Sequence, residues 1–542
     1  MLTPVRPSTS SLRGWQDEAL VALRTWVTAA DDPRPFLISA APGAGKTRPA
    51  LEIAREALAA GYARRVVVVC PTGPLTRQWA QAAAKLGIDL QPDADTPRPP
   101  RDFHGIVVTY ARVAQAGLRW SGLLDPGTLV IADEAHHLGE DLAWGEGFAA
   151  AFGAVRRRWL LLSGTPFRSD QSPIPGVRYE DGIAVPDISY TYAEAVRDRV
   201  CRPVTFIPYD GTLQWQSGED VIEASFDDVL STREAGRRYR TAISVDLGDG
   251  LPRILAQAHE RLMALRADSH RDAGGLVIAT DGEHARAIAK VLRELTGKVP
   301  VVVLHTDQRA AEKLATFTDA RDPWIVAVNM VSEGVDIPRL RVGVYATAAK
   351  TPLIFRQIVG RFVRTIAGRA VDPSWVYLPG DGILRTHATE VETELRHVLR
   401  PPGEEDGEAF DELREARLQS EPTAPVEFVP LSADVAPQMA LFGPAPGEPP
   451  PSRRAAMLAA MPPAVALDPE PSSLPAYQRR ALLRDKRHRL VSELSRLDGR
   501  SHAEINGWVN REVGIAKVGD ATIEQLDASC DRLLRALTGR KR

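Results

Sequence analysis

Cysteine is almost missing from this chain: Cys70, Cys201 and Cys530 are the only three in 542 residues. Spread so widely, they exclude a disulfide framework, a zinc ribbon and an iron–sulfur set. Long apolar runs are missing as well. None approaches the ~20 residues needed to cross a bilayer, and the opening MLTPVRPSTSSLRGWQ lacks the apolar stretch of a secretory signal. A cytoplasmic setting with no membrane partner is therefore expected. Lysine is scarce, 9 against 58 arginines, a bias of the kind a GC-rich genome produces. There is no internal repeat at a fixed period, and a net charge of −3 argues neither for nor against nucleic acid.

What is present is organised. Residues 1–400 balance 48 basic against 48 acidic side chains, residues 401–475 carry 4 against 13, and residues 476–542 carry 15 against 9. A polyanion would find its footing on the last of these. The first 400 residues hold two series of short, near-continuous apolar runs with helical patterns between them. The first series is 65–72, 104–110, 128–134 and 158–166; the second is 275–280, 299–306, 324–330, 341–347 and 375–380. Such runs mark strands buried on both faces of a parallel sheet. The expected fold class is α/β, with two tandem doubly wound domains at 1–200 and 271–400 and a less regular connection at 201–270. Residues 401–475 contain 16 of the 42 prolines and begin with an acidic run. That composition predicts a disordered linker. Beyond it, 476–542 reads as a small basic helical domain, with capping-box spacing at Ser501…Glu504 and Thr522…Gln525.

Three stretches carry chemistry. AAPGAGKT (40–47) follows an apolar run and precedes a helical pattern, which is phosphate-loop spacing with Ala40 in place of the first glycine. Gly43, Ala44 and Gly45 would present backbone N–H groups to phosphate oxygens. Lys46 would reach the β- and γ-phosphates of ATP, and Thr47 would offer a hydroxyl to Mg²⁺. TLVIADEAHH (128–137) ends a buried strand on two acids. A metal would neutralise them: Asp133 fits a Mg²⁺ partner, and Glu134 fits the base that deprotonates the attacking water. His136 beside them is read as a coupling residue, the alternative being a purely structural histidine. In FRQIVGRFVR (355–364), Gln357, Arg361 and Arg364 fall at i, i+4 and i+7, so on a helix they would share one face.

These motifs, with SGTP (163–166) and VNMVSEGVDIP (328–338), occur in the order seen in superfamily 2 helicases. The chain most resembles the DEAH-containing translocase group, which includes XPB-like helicases and the helicase subunits of type III restriction enzymes. LRGWQDEAL (12–20) resembles the adenine-reading segment, through Gln16; CPTGPLTRQW (70–79) resembles motif Ia, and VVTYARV (107–113) motif Ib. The resemblance covers about residues 12–395. It implies two RecA-like domains with ATP between them. Arg361 and Arg364, assisted by Gln357, would then meet the γ-phosphate, and hydrolysis would require domain closure. It also implies nucleotide contacts from Gly334 and Asp336, coupling through Ser163 and Thr165, and strand contacts from Pro71, Thr72, Thr109, Tyr110, Thr280 and Ser332. DNA is favoured over RNA, because DEAD-box RNA helicases carry a different glutamine segment and third motif.

The tail leaves three readings open. Arg479, Arg480, Arg484, Lys486, Arg487 and Arg489 form a basic cluster beside Tyr477. It would serve as a DNA-binding handle, or be a solvated helix face. In the third reading the tail docks a protein partner, such as a nuclease or a repair or defence component. There Leu482, Leu490, Ile505, Trp508, Val509, Ile523 and Leu526 would form the bundle core. For the whole chain, the alternative to a motor is a nucleotide-gated binding subunit that recruits a partner through its C-terminal domain.

Overall fold

The computed structural model describes residues 12–29, 34–140, 142–153, 158–164, 173–180, 183–304, 307, 309–328, 337–366, 369, 371–399, 428–438 and 474–540. The chain divides into two compact units. One comprises Met1–Ala40, Gly45–Ser189 and Met461–Arg542, the other Ala41–Ala44 and Tyr190–Ala460.

The first unit is built on strands β1 (Phe36–Ala40), β2 (Arg65–Cys70), β3 (Leu90–Gln91), β4 (Gly105–Thr109), β5 (Thr128–Asp133) and β6 (Trp159–Ser163), with β7 (Arg178–Glu180) and β8 (Ile183–Val185) forming a separate hairpin. The sheet order is β3-β4-β2-β5-β6-β1-β9, with β9 at Ile188–Tyr190. Contacts among β1–β6 are parallel. Val66–Val69 and Leu129–Ala132 are almost fully buried, as expected for strands covered on both faces. Because the strands run the same way, the loops after β1, β2, β4 and β5 open at one edge, where ligands of such sheets bind.

In the second unit, β10 (Val204–Ser217), β11 (Asp220–Ala224), β12 (Gly274–Ala279), β13 (Val301–Val303), β14 (Trp324–Val328), β15 (Leu340–Ala346) and β16 (Ser374–Pro379) run in the order β11-β10-β16-β15-β12-β14-β13. Residues 201–270, expected as a connection, are part of this domain: β10 pairs with β16 in parallel and with β11 antiparallel. Alternation of Trp215 and Leu213 with polar neighbours is a two-residue period, hidden in sequence by the charged residues around it.

The expected linker is interrupted by β17 (Phe428–Pro437), which pairs antiparallel with β10 from Tyr209 to Ser217. Its own Ala433 and Val435 are buried, and Arg240 sits 4.8 Å over the Phe428 ring. The remainder of 401–473 lies outside the described residues. Pro430 and Pro437 tolerate this position because an edge strand leaves one side without ladder bonds. Val435→Asp would leave an uncompensated buried charge, worth about 3–5 kcal/mol. The expected result is release of β17, with amides of Tyr209–Ser217 exchanging at least about 10²-fold faster. Unchanged exchange would show that β17 is not held by this packing.

The tail forms three helices, Ala476–Asp498, His502–Glu512 and Ile523–Arg540. Both capping boxes form, Ser501 Oγ accepting from Glu504 N at 3.3 Å and Thr522 Oγ1 from Gln525 N at 3.2 Å. Leu490, Ile505, Val509 and Leu526 are buried as expected. Leu482 is 55% exposed, because the buried stripe of its helix runs through Arg487, Leu490, Val491 and Leu494. Two of the six basic residues of the cluster are internal. Arg480 donates to Ala521 O (3.2 Å) and Gly519 O (2.5 Å), and Arg487 to Asn506 and Asn510 Oδ1 (2.7 Å each). Burial holds both guanidinium groups below their ordinary pKa. The tail is seated on the first unit's sheet edge, Arg480 reaching Gln91 Oε1 (3.3 Å) and Ile523 N donating to Asp102 Oδ2 (2.9 Å).

Candidate active site

The loop after β1 turns on two glycines with positive φ, Gly43 at +83° and Gly45 at +91°, conformations that side chains rarely adopt. Lys46 then caps α2 (Thr47–Ala60), so the ammonium and the Thr47 hydroxyl both leave from the helix start. Pro49 costs little there, since a first-turn N–H has no intrahelical partner. Lys46 is 8% exposed; its Nζ donates to Ala40 O (3.2 Å) and lies 3.5 Å from Glu134 Oε1. Gln16, on α1 (Gly14–Thr28), is buried against the same loop. Its Nε2 donates to Gly45 O at 3.1 Å, and its Oε1 accepts from Arg13 N at 3.0 Å. Gln16 therefore braces the phosphate loop, a role that the adenine-reading expectation does not include. Ala44 is wholly buried and its N–H closes a turn onto Ala41 O at 3.0 Å.

Asp133 ends β5 and Glu134 begins the turn after it, with φ +50°. A left-handed glutamate stores strain that surrounding contacts must hold, and such residues gather at active sites. Glu134 Oε2 lies 3.6 Å from His136 Nδ1, which lies 3.0 Å from Ser163 Oγ at the end of β6. His136 and Ser163 are buried, so two of the three expected coupling residues touch directly. Thr165 falls outside the described residues.

Asp133 is 7% exposed and accepts at Oδ2 from Trp79 Nε1 (2.7 Å), while its carbonyl accepts from Tyr110 OH (2.8 Å). Trp79 was legible only as the last residue of CPTGPLTRQW, two helical turns past Thr72. Tyr110 departs from its expected strand contact. Its ring is wholly buried, 5.7 Å from Trp144, and has no surface to offer a ligand. Pro71 is likewise buried; Thr72 and Thr109 remain partly exposed at the starts of the helices Gly73–Lys85 and Tyr110–Ala116. The donor types fit Mg²⁺, which prefers hydroxyl and carboxylate oxygens with phosphate: a hydroxyl at Thr47 and a carboxylate at Asp133.

In the second unit, the helix carrying Gln357 spans Pro352–Val359 and ends at Gly360. Arg361 and Arg364 therefore do not continue it, and the shared helical face is corrected. A Cβ on Gly360 would fall 2.8 Å from Pro42 Cβ, so the helix ends at a residue whose missing side chain leaves room for Pro42, which is grouped with this unit. Arg364 instead lies in an extended segment bridged to Cys201, with Arg202 Nε donating to Arg364 O at 2.6 Å and Arg202 N to Val363 O at 2.8 Å. A Cβ on Gly43 would lie 3.1 Å from Arg364 Cδ. Thr280 directly follows β12, its hydroxyl donating to Ala346 O at 3.3 Å. Ser332, Gly334 and Asp336 lie outside the described residues.

The family model described as type III restriction enzyme, res subunit, matches residues 9–168, and that of the helicase conserved C-terminal domain matches residues 257–365. The uncharacterized protein Rv2917 of Mycobacterium tuberculosis (strain H37Rv) is 42% identical over 442 residues, covering 80% of this chain and 72% of that protein. The Mycobacterium leprae protein ML1624 is 41% identical over 403 residues, covering 73% of this chain and 66% of its own. Among solved structures, a fragment assigned as the HsdR subunit of a type I restriction enzyme from Vibrio vulnificus YJ016 aligns with a TM-score of 0.50 at 17% identity. That alignment covers 70% of this chain and 66% of that one, and it is a likeness of fold.

Proposed function

Since this chain belongs to helicase superfamily 2, we propose that it is a DEAH-type DNA translocase or helicase that couples Mg²⁺-dependent ATP hydrolysis to closure of two RecA-like domains and movement of a strand. The helicase domains imply ATP binding and action on nucleic acid. The observation that carries the reading is the cluster Lys46–Glu134–His136–Ser163. It brings a phosphate-binding ammonium, a carboxylate on a left-handed backbone and a buried relay together from three strand ends.

Each group has one task. Lys46 and the loop N–H groups hold the triphosphate, and Thr47 and Asp133 would hold Mg²⁺. When bound, such an ion would supply charge neutralisation to the triphosphate. Glu134 orients the attacking water and takes its proton. Arg364, with Arg361, stabilises negative charge that develops on the transferred phosphoryl group. Strand contacts at Thr72 and Thr109 hold the backbone rather than the bases, so binding tolerates sequence and weakens with salt. No helix among the described residues is long and apolar enough to cross a membrane. A role in repair, restriction or defence belongs to this reading, with a protein partner such as a nuclease engaging residues 476–542.

ATP turnover measured alone and with single-stranded DNA, double-stranded DNA or RNA tests the reading. Stimulation of at least about ten-fold by DNA is expected, about 1.4 kcal/mol off the barrier. No stimulation by any nucleic acid would leave the nucleotide-gated binding subunit in its place.

A further inference from the structure

Two aromatic donors converge on Asp133 from the two elements that follow the expected strand-contact loops. Trp79 belongs to α3, the helix Gly73–Lys85 whose N-cap is Thr72, and its indole N–H meets Oδ2 at 2.7 Å. Tyr110 opens α4, the helix Tyr110–Ala116 whose N-cap is Thr109, and its hydroxyl donates to the Asp133 carbonyl at 2.8 Å. The sheet order β4-β2-β5 makes this possible, because β2 and β4 deliver their loops beside the end of β5. All three side chains are buried: Trp79 is 2% exposed, Tyr110 0% and Asp133 7%. A core tryptophan needs only some acceptor: backbone carbonyls serve Trp26 (Arg34 O, 3.1 Å) and Trp159 (Phe152 O, 3.2 Å), and the Glu234 carboxylate serves Trp215 (2.7 Å). At Trp79 the acceptor is the carboxylate assigned to the metal, and a second donor fixes the same residue's backbone.

We infer that Trp79 and Tyr110 are positioning residues that transmit nucleic-acid occupancy at Thr72 and Thr109 to Asp133, setting how tightly that carboxylate holds the divalent cation. The inference rests on the proposed function. The indole is too well packed to turn independently: its ring belongs to α3, so a displacement of the helix start moves the hydrogen bond with it. Tyr110 does the same for α4 through its packing on Trp144. The coupling is reciprocal, so DNA that tightens the cation must itself be tightened by the cation.

The test uses full-length protein with ADP, Mn²⁺ as the spectroscopic cation and a single-stranded DNA oligonucleotide. Free Mn²⁺ is followed by electron paramagnetic resonance, and thermal melting establishes that each variant is folded. In the parent, DNA should change Mn²⁺ affinity by a factor in the range of about 5–150. Trp79→Phe, which keeps a ring but not the donor, should weaken Mn²⁺ binding about ten-fold or more, the usual effect of removing a partner of a metal ligand. It should also bring the DNA-dependent factor close to one. Tyr110→Phe removes one hydroxyl and should lower that factor as well; it decides the question if Trp79→Phe does not fold. Folded variants with parental Mn²⁺ affinity and an undiminished factor would overturn the inference. So would a parent whose turnover DNA stimulates but whose Mn²⁺ affinity DNA leaves unchanged, while the functional reading stands. Absence of any stimulated turnover overturns the functional reading instead.

Discussion

Glu134→Gln should lower ATP turnover by about 10²–10⁴-fold, the range that a positioned general base contributes, while ATP still binds. Glutamine keeps the shape and the reach toward Lys46 Nζ and His136 Nδ1, now 3.5 and 3.6 Å from the two carboxylate oxygens. What it loses is the capacity to accept a proton. Quenched single-turnover measurements separate this from a binding defect, and turnover within about five-fold of the parent would remove Glu134 from the role of base. The backbone supplies an independent check. A non-glycine residue in the left-handed region stores about 1–3 kcal/mol. A partly exposed ion pair such as Lys46–Glu134, with Glu134 27% exposed, gives back about 0–1 kcal/mol. Glu134→Gly should thus be inactive yet melt no earlier than the parent. An earlier melt would mean that the glutamate is kept for stability rather than for chemistry.

The nucleotide-binding half was legible because its chemistry is local. A phosphate loop is a short contiguous segment, and the strands around it are continuous apolar runs whose burial needs no knowledge of the partner. Asp133 and Glu134 stood out because acids at the end of such a run demand a counterpart. Contacts made by folding alone were not legible. Trp79 on Asp133, Gln16 on Gly45 O and His136 on Ser163 depend on which strand ends become neighbours, and sequence spacing does not carry that. The two largest departures have simple causes. β17 was hidden in a proline-rich context because an edge strand needs only one row of backbone bonds. The arginine segment read as helix because its apolar spacing is helical, yet Gly360 ends the helix and Val363–Arg364 pair with the stretch Cys201–Arg202 instead.

That extended segment gives Arg364→Ala its expected result: turnover falls by about 10³–10⁵-fold, the contribution of an arginine acting on a transferring phosphoryl group, with ATP affinity within a few-fold. An arginine on a helix face would be carried by one element and swing with it. Arg364 is held by backbone on both sides of its Cα, through the Cys201 bridge, Arg202 Nε on its carbonyl and Thr365 Oγ1 on Val200 O at 2.9 Å. Arg202 can do this because it is itself 2% exposed, with burial lowering its pKa to about 10, so it remains a charged donor at neutral pH. In the proposed mechanism, preorganisation of this kind would hold the guanidinium ready before charge develops, which is what distinguishes transition-state stabilisation from substrate binding. Arg364→Lys should recover little, because a point charge does not reproduce the planar fork. The double variant with Arg361→Ala then apportions the effect. Independent contacts multiply, whereas residues acting as one unit give a double loss no larger than the single one. Parental turnover in Arg364→Ala would mean that the segment's anchoring serves the fold alone.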